Sequence, residues 1–128
     1  MTEQEKQEKL ASFLSGIAAR EFRNPDWVCG FMLADWYMHA TGKPDPVPEH
    51  RGKEHPMDQA LELVAEVAAR LGLMETSAPE CGDVGIIDFK GVLHGGIFTG
   101  RRWVLLARAG LSSVQPFAVT LIKAWRIA

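Results

Sequence analysis

The fold of this chain is decided by residues 24–36, which read NPDWVCGFMLADW. A proline and polar residues precede Trp27, and an almost unbroken apolar and aromatic run follows Cys29. A helix that is apolar on most sides lies at the centre of a domain. The stretch therefore predicts a central, buried helix from near Val28 to Ala40, with Cys29 in its first turn.

Two roles for Cys29 follow from this position. A helix N-terminus carries about half a positive charge and unpaired N–H groups, which together favour a thiolate over a thiol. A cysteine at this point can be a nucleophile with a lowered pKa. The alternative is a small core residue, because free cysteine is among the most buried residue types.

The rest of the first half predicts two more helices and one long loop. Apolar residues recur at helical spacing in residues 3–20 and 57–71, and Gly72 is the expected stop of the second of these helices. Residues 42–56 contain four prolines, so they predict an irregular surface loop. Loops of this length in a compact domain are often functional.

The second half of the chain changes to the period of a β-strand. The predicted strands are 84–89, 92–99, 103–107, 111–114 and 119–127, separated by short turns. Strands that follow each other through short turns form an antiparallel meander. The prediction is an α+β fold in one domain, 1–128, with N-terminal helices packed on a C-terminal meander sheet; residues 1–22 form the first helix and 24–127 the core.

Composition excludes several classes of partner. The formal net charge is −2, so no basic excess points to nucleic acid or to an anionic membrane. The apolar runs are shorter than the ~18 residues of a membrane span, and the N-terminus lacks the apolar core of a signal peptide. We expect a cytoplasmic protein, or one incorporated into a larger assembly such as a phage particle. In a reducing compartment Cys29 and Cys81 are expected to be free thiols.

His94 is the histidine best placed to act as a base for Cys29. His39 lies roughly 15 Å further along the same helix at 1.5 Å per residue, and the other two histidines belong to the proline-rich loop. His94 begins HGGIFTG, residues 94–100, at the start of a predicted strand. The two glycines leave room for close approach of backbone or ligand. The alternative is a strand-end histidine that is hydrogen-bonded to a backbone carbonyl.

Other polar residues suggest structural roles or none. His50 and His55 have the H-x₄-H spacing, but no cysteine ligands accompany them and no phosphate loop is present, so we predict neither a metal site nor a cofactor. Asp35 is expected to pair with a neighbouring segment. Asp83 is expected to cap the turn before a strand, and Cys81 to lie at the edge of that strand.

Three motifs occur in a fixed order along the chain: Trp27-Val28-Cys29, then GDVGIIDF at residues 82–89, then residues 94–100. Together they resemble the papain-like cysteine peptidases of the NlpC type. In that group a cysteine starts a central helix, and a Gly-Asp-led strand precedes a strand that begins with histidine. The Trp-x-Cys start, the Thr41-Gly42 helix end and the closing residues 124–127 are also similar to a small uncharacterised family found in phage and prophage tail regions and in bacteria.

The resemblance implies a papain-like fold and hydrolysis of amide bonds in peptides, including peptidoglycan peptides. It implies Cys29 as nucleophile and His94 as general base, with the backbone N–H of Cys29 holding the oxyanion. Trp27 is a candidate wall of the substrate groove. A peptide or peptidoglycan fragment would then be the substrate, and phage tail proteins are the expected partners of a tail component.

The sequence departs from the NlpC pattern at three points. Leu106 stands where a polar residue normally orients the histidine, Val28 replaces an aspartate, and Gly30-Phe31 replaces Ser-Gly. A dyad without an orienting group is weaker, because the tautomer and pose of the imidazole are less fixed. The alternative function is therefore a catalytically weak or inactive domain that serves as a structural or assembly component, for instance of a phage tail.

Overall fold

A computed structural model describes residues 2–18, 29–51, 53, 57–107 and 110–127. These residues form three α-helices and a six-stranded antiparallel sheet. The helices are α1 (Glu3–Ala18), α2 (Cys29–Thr41) and α3 (Met57–Arg70). The strands are β1 (Met74–Glu75), β2 (Val84–Phe89), β3 (Val92–Phe98), β4 (Trp103–Ala107), β5 (Gly110–Val114) and β6 (Thr120–Arg126). The predicted α+β class is confirmed.

The helices end where local chemistry stops them. Gly42 follows α2 with φ +71°, and its N–H donates to the carbonyl of Met38 at 2.9 Å. Gly72 follows α3 with φ +70°, and the next N–H, that of Leu73, donates to the carbonyl of Ala68 at 3.0 Å. Glycine adopts this left-handed conformation without the steric cost that a Cβ imposes. The predicted stops at Gly42 and Gly72 are confirmed.

The sheet has the strand order β1-β6-β2-β3-β4-β5. Strands β2 to β5 form the predicted meander, and a two-residue turn joins β2 to β3, with φ 54° at Lys90 and 81° at Gly91. The prediction was wrong for the last strand, because β6 returns to pair with β2 instead of following β5. Strand β2 is almost fully buried, so its backbone groups need a strand on both edges. The two exposed residues of β1 carry no alternation and were not predicted.

The sheet separates two apolar cores. Ile86 and Ile97 point to the face that contacts the helices, where they join α1 residues such as Leu10 and α2 residues such as Trp36. Ile87 and Trp103 belong to a second cluster on the opposite face. Paired residues of an antiparallel ladder share one face and successive residues alternate, so the register assigns each strand residue to one of these cores.

No helix within the described ranges is long and apolar enough to cross a membrane.

Candidate functional site

The described part of helix α2 starts at Cys29. The helix packs against β3 and, less extensively, against β4. Its anchor is buried, since Trp36 Nε1 donates a 2.7 Å hydrogen bond to the carbonyl oxygen of Gly82, just before β2. Trp27 and the side chain of Cys29 lie outside the described part of the chain, so their proposed roles remain predictions.

His94 is the third residue of β3 and pairs with Ile87 of β2. Its side chain is half-buried, and Nδ1 is buried without a hydrogen-bond partner among the described residues. Most buried polar atoms in proteins have such a partner. The alternative of a histidine bonded to a backbone carbonyl through Nδ1 is therefore not observed within the described ranges.

Strand alternation assigns His94 to the sheet face opposite the one that α2 covers. His94 pairs with Ile87, which belongs to the second core, whereas Ile97 joins the core beneath the helices. His94 lies near the beginning of β3. To contact the first turn of α2, its imidazole would have to pass around that end of the strand, because the middle of the sheet separates it from the helix.

Leu106 contributes to packing. It is 9% exposed in β4 and belongs to the helix-side core. Leu105, which pairs with Gly96 of β3, lies on the same face as His94. The position that carries an orienting polar group in the NlpC pattern thus points into the apolar core in this chain.

The space beside Gly96 is filled by protein. A Cβ on Gly96 would lie 2.9 Å from Leu105 Cδ2 and 3.2 Å from Trp103 Cε3, and a Cβ on its partner Gly85 would lie 2.8 Å from Trp103 Cη2. The glycines therefore admit the indole of Trp103. Close backbone approach, one of the two alternatives predicted at the glycines, is present, because the Cβ on Gly96 would lie 3.2 Å from the carbonyl oxygen of Val104; the contribution of the side chains was not predicted.

Residues 42–51 of the proline-rich loop contact α2 through Arg51. Arg51 Nη2 lies 2.8 Å from Asp35 Oδ1, and Arg51 Nε donates to Asp45 Oδ2 at 3.0 Å. The Arg51 guanidinium carbon also lies 4.9 Å from the centroid of the Phe31 ring, a geometry typical of a cation–π contact. The predicted ion pair of Asp35 is confirmed. The role of Arg51 was not predicted. Arg51 lies in an irregular loop sixteen residues after Asp35, so no periodic pattern in the sequence pairs the two.

Asp83 caps the turn before β2, as predicted. Its Oδ2 accepts a 2.8 Å hydrogen bond from the Glu80 N–H, and the side chain is almost fully buried. Burial raises the pKa of Asp83 above its ordinary value, against the lowering effects of the Glu80 hydrogen bond and the charges of Arg126 and Lys6. This carboxylate stabilises the turn and does not face an open groove.

Cys81 is a free, buried thiol in the turn before β2. Burial raises the pKa of the Cys81 thiol; Glu3 and Asp83 add to this effect and Lys6 opposes it. The thiolate is the reactive form of cysteine, so the raised pKa and the burial of Cys81 make this thiol a poor nucleophile.

An apolar cavity of about 60 Å³ lies between α2 and α3, and we call it the α2–α3 cavity. Pro46 and Val47 of the docked loop form part of its wall. The apolar stripe on α3 was visible in the sequence, but nothing in the sequence showed that α2 and the loop leave a space beside it.

The described residues hold no group of three or more His, Cys, Asp or Glu side chains that could bind a metal ion. His50 Nε2 lies 3.5 Å from Glu49 Oε1, and His55 lies outside the described ranges.

Comparison with known proteins gives one match. No curated protein and no solved structure matches the chain. The sequence model of one family, described as a domain of unknown function (DUF6950), matches residues 2–127, and the chain belongs to that family.

Proposed function

We propose that this protein is a cysteine hydrolase of the NlpC type, with a papain-like fold, that cleaves amide bonds in peptides such as those of peptidoglycan. The observation that carries the proposal is the buried Nδ1 of His94, which has no hydrogen-bond partner among the residues that the structure describes. His94 lies near the beginning of β3, on the face opposite the one that α2 covers, and the described part of α2 starts at Cys29. A thiol at the start of that helix would supply the missing partner.

In the proposed reaction Cys29 gives its proton to His94, and the thiolate attacks the carbonyl carbon of the amide. The tetrahedral oxyanion accepts hydrogen bonds from the N–H groups at the start of α2. His94 then protonates the leaving amine as the C–N bond breaks, which leaves a thioester on Cys29. Water, deprotonated by His94, attacks the thioester and releases the acid and the free thiol.

The proposal sets one geometric requirement. The imidazole of His94 has to meet the sulfur of Cys29 at the beginning of β3, within the roughly 3 to 4 Å of a thiol–imidazole hydrogen bond. Nδ1 is the nitrogen for which no partner is found in the described ranges. Leu106, which stands at the orienting position, is apolar and lies in the helix-side core, so we expect turnover to be slow compared with a complete triad.

The pH dependence of alkylation tests the dyad. The iodoacetamide rate at Cys29 is measured by peptide mass spectrometry from pH 5 to 9, in the native protein and in His94→Gln. A dyad gives a rate that stays high well below the free-thiol pKa of about 8.5, and His94→Gln moves the profile toward that value. Cys81 is the internal control in the same digest, because it is buried. A Cys29 profile that follows the free-thiol pKa in both proteins contradicts the dyad.

A second candidate function is a structural or assembly component without chemistry, for instance in a phage tail. It is favoured by the assignment of His94 to the face opposite α2 and by the burial of Leu106 in the core. On this hypothesis Cys29→Ala and His94→Gln abolish no hydrolysis, because the native protein performs none. Release of amino groups from peptidoglycan peptides by the native protein, lost in Cys29→Ala, would contradict it.

A further inference from the structure

Two apolar residues form the beginning of β3, directly before His94. Val92 is 53% exposed and Leu93 is 42% exposed. Successive residues of a strand point to opposite faces of the sheet. Val92 therefore lies on the same face as His94, two residues away, and Leu93 lies on the face against which α2 packs. We call these two side chains the β3 rim.

The described helices do not cover the β3 rim. Further along the helix face of β3, Ile97 is fully buried in the core beneath the helices. Leu93 lies on that same face and is nevertheless exposed. The described helices therefore do not reach the beginning of β3, and a ligand has access to both faces of the sheet at this point.

Exposed apolar side chains are concentrated at this end of the sheet. Leu93 pairs with Asp88 of β2, and Asp88 pairs on its other side with Thr120, the first residue of β6. Phe117, three residues before Thr120, is 88% exposed. Single exposed apolar residues are ordinary, but a group of them is typical of an interaction site.

The two charged side chains of the β2–β3 turn have contacts within the turn itself. Asp88 Oδ1 accepts a 2.9 Å hydrogen bond from the Gly91 N–H, and Lys90 Nζ lies 5.2 Å from the centroid of the Phe89 ring, as in a cation–π contact. Both residues between this turn and His94 are uncharged. The β3 rim therefore offers a substrate apolar contact and no ion pair.

The β3 rim lies where the proposed chemistry has to take place. His94 lies on the face opposite α2, so a contact with Cys29 passes around the beginning of β3. An amide held between these two residues places a neighbouring part of the substrate against the rim. A charged substrate group at that point would lose hydration without gaining a partner of opposite charge, which is unfavourable.

We propose that the β3 rim contacts the substrate beside the scissile amide and selects an uncharged, apolar side chain there. The inference rests on the proposed function, because it takes the position of the amide from the Cys29–His94 pair. It adds the class of substrate, which is a peptide with an aliphatic or aromatic residue next to the bond that is cleaved. Each methylene group buried against the rim favours such a substrate about fourfold.

Alkylation of Cys29 by matched iodoacetamides tests the rim without requiring turnover. The substituents on the amide nitrogen are isobutyl, carboxyethyl and trimethylammonioethyl, so the reagents are neutral, anionic and cationic. The rate of each at Cys29 is divided by its rate with the urea-unfolded protein. We expect the isobutyl reagent to be favoured over both charged reagents by at least about fourfold. Equal normalised rates overturn the inference.

Polar variants of the rim locate the effect. Val92→Thr and Leu93→Gln keep the approximate size of each side chain, and either one suffices if the other fails to fold. Each should reduce the preference for the isobutyl reagent by at least about twofold. Met74→Gln is the control, because Met74 is 68% exposed and lies in β1 at the other end of the sheet, and it should leave the preference unchanged. A folded rim variant with the native preference contradicts the rim.

The pH profile of the same alkylation separates the rim from the dyad. A profile that follows a free thiol, with the isobutyl preference retained, overturns the proposed reaction while the selectivity of the rim stands. A dyad profile with equal rates for the three reagents overturns the rim alone. A Cys29 that reacts with none of the reagents in the folded protein overturns both.

Discussion

The indole Nε1 of Trp36 donates a 2.7 Å hydrogen bond to the carbonyl oxygen of Gly82, and the bond is buried. It joins the middle of α2 to the turn that leads into β2. Gly82 has φ +89°, and a Cβ at this position would lie 3.2 Å from Trp36 Cζ2. The contact therefore links the helix that begins at Cys29 with the Gly-Asp strand motif.

Loss of this bond should destabilise the fold. Trp36→Phe leaves the Gly82 carbonyl buried and unpaired, which costs about 1 to 3 kcal/mol in addition to the lost packing. The free energy of unfolding is measured in urea. Trp125→Phe is the control, because Trp125 is equally buried and the substitution removes none of the described hydrogen bonds. Equal losses in the two variants would show that packing alone accounts for the effect.

Two glycines should respond to alanine in opposite directions. Gly85→Ala puts a Cβ 2.9 Å from the carbonyl oxygen of Lys123 and 2.8 Å from Trp103, and such overpacking costs about 1 to 3 kcal/mol. Gly16 lies inside α1 with nothing within 4 Å of a new Cβ. Gly16→Ala should stabilise the protein by about 0.5 to 1 kcal/mol. Thermal and urea unfolding of both variants measure the difference, and a stable Gly85→Ala protein would contradict the described packing.

The buried carboxyl of Asp83 should make stability fall as pH rises. Burial raises the pKa of Asp83 above 3.8 in the folded state, with the Glu80 hydrogen bond and the charges of Arg126 and Lys6 opposing it. As pH rises from about 3.8 through the folded pKa, the folded state loses a proton that it holds more tightly than the unfolded chain. The free energy of unfolding therefore falls across this window.

Asp83→Asn lacks this contribution. The difference in free energy of unfolding, variant minus native, should increase with pH through that window and then become constant. Urea titrations at half-unit steps from pH 3.5 to 7 measure it. A difference that is independent of pH would show that the pKa of Asp83 is the same in both states.

The contribution of Asp45 to stability should increase with pH, in the opposite direction to that of Asp83. Burial acts to raise the pKa of Asp45, but the hydrogen bonds from Arg51 and from the Val47 N–H, with the charge of Arg51, outweigh it and lower the pKa. The carboxylate therefore contributes stability above pH 3.8 that is lost as pH falls through the folded pKa. The advantage of the native protein over Asp45→Asn should shrink as pH falls below about 3.8, so the urea titrations are extended to the lowest pH at which both proteins remain folded.

Removal of Arg51 should release the proline-rich loop. Arg51→Ala removes the hydrogen bonds to Asp35 and Asp45 and the contact with Phe31, and we expect a loss of about 1 to 3 kcal/mol. Hydrogen exchange at residues 45–51 should accelerate. Arg101→Ala, at an exposed turn, should stay within about 0.5 kcal/mol of the native protein. Unchanged exchange in Arg51→Ala would mean that apolar packing of Pro46 and Val47 holds the loop.

Periodicity and turn chemistry in the sequence determined most of the elements. The apolar run after Cys29 predicted α2, Gly42 and Gly72 predicted helix ends, and the alternation from Val84 onward predicted strands. These signals are local, because a helix face, a positive φ or a strand period depends on a few neighbouring residues. The roles of Asp35 and Asp83 were also predictable, since each carboxylate needed a nearby partner.

Tertiary structure alone decided what depends on distant segments. Three contacts join residues that are far apart in sequence. Strand β6 pairs with β2, the side chain of Trp103 fills the space beside Gly96, and Arg51 is hydrogen-bonded to Asp35 of α2. Tertiary structure also decides on which face of the sheet His94 lies, because that face depends on the strand register and on the side against which α2 packs. The sequence by itself determined most of the elements and named the candidate pair Cys29 and His94. The packing of one element on another decides which side chains meet, because that choice is made by shape and burial across the whole chain.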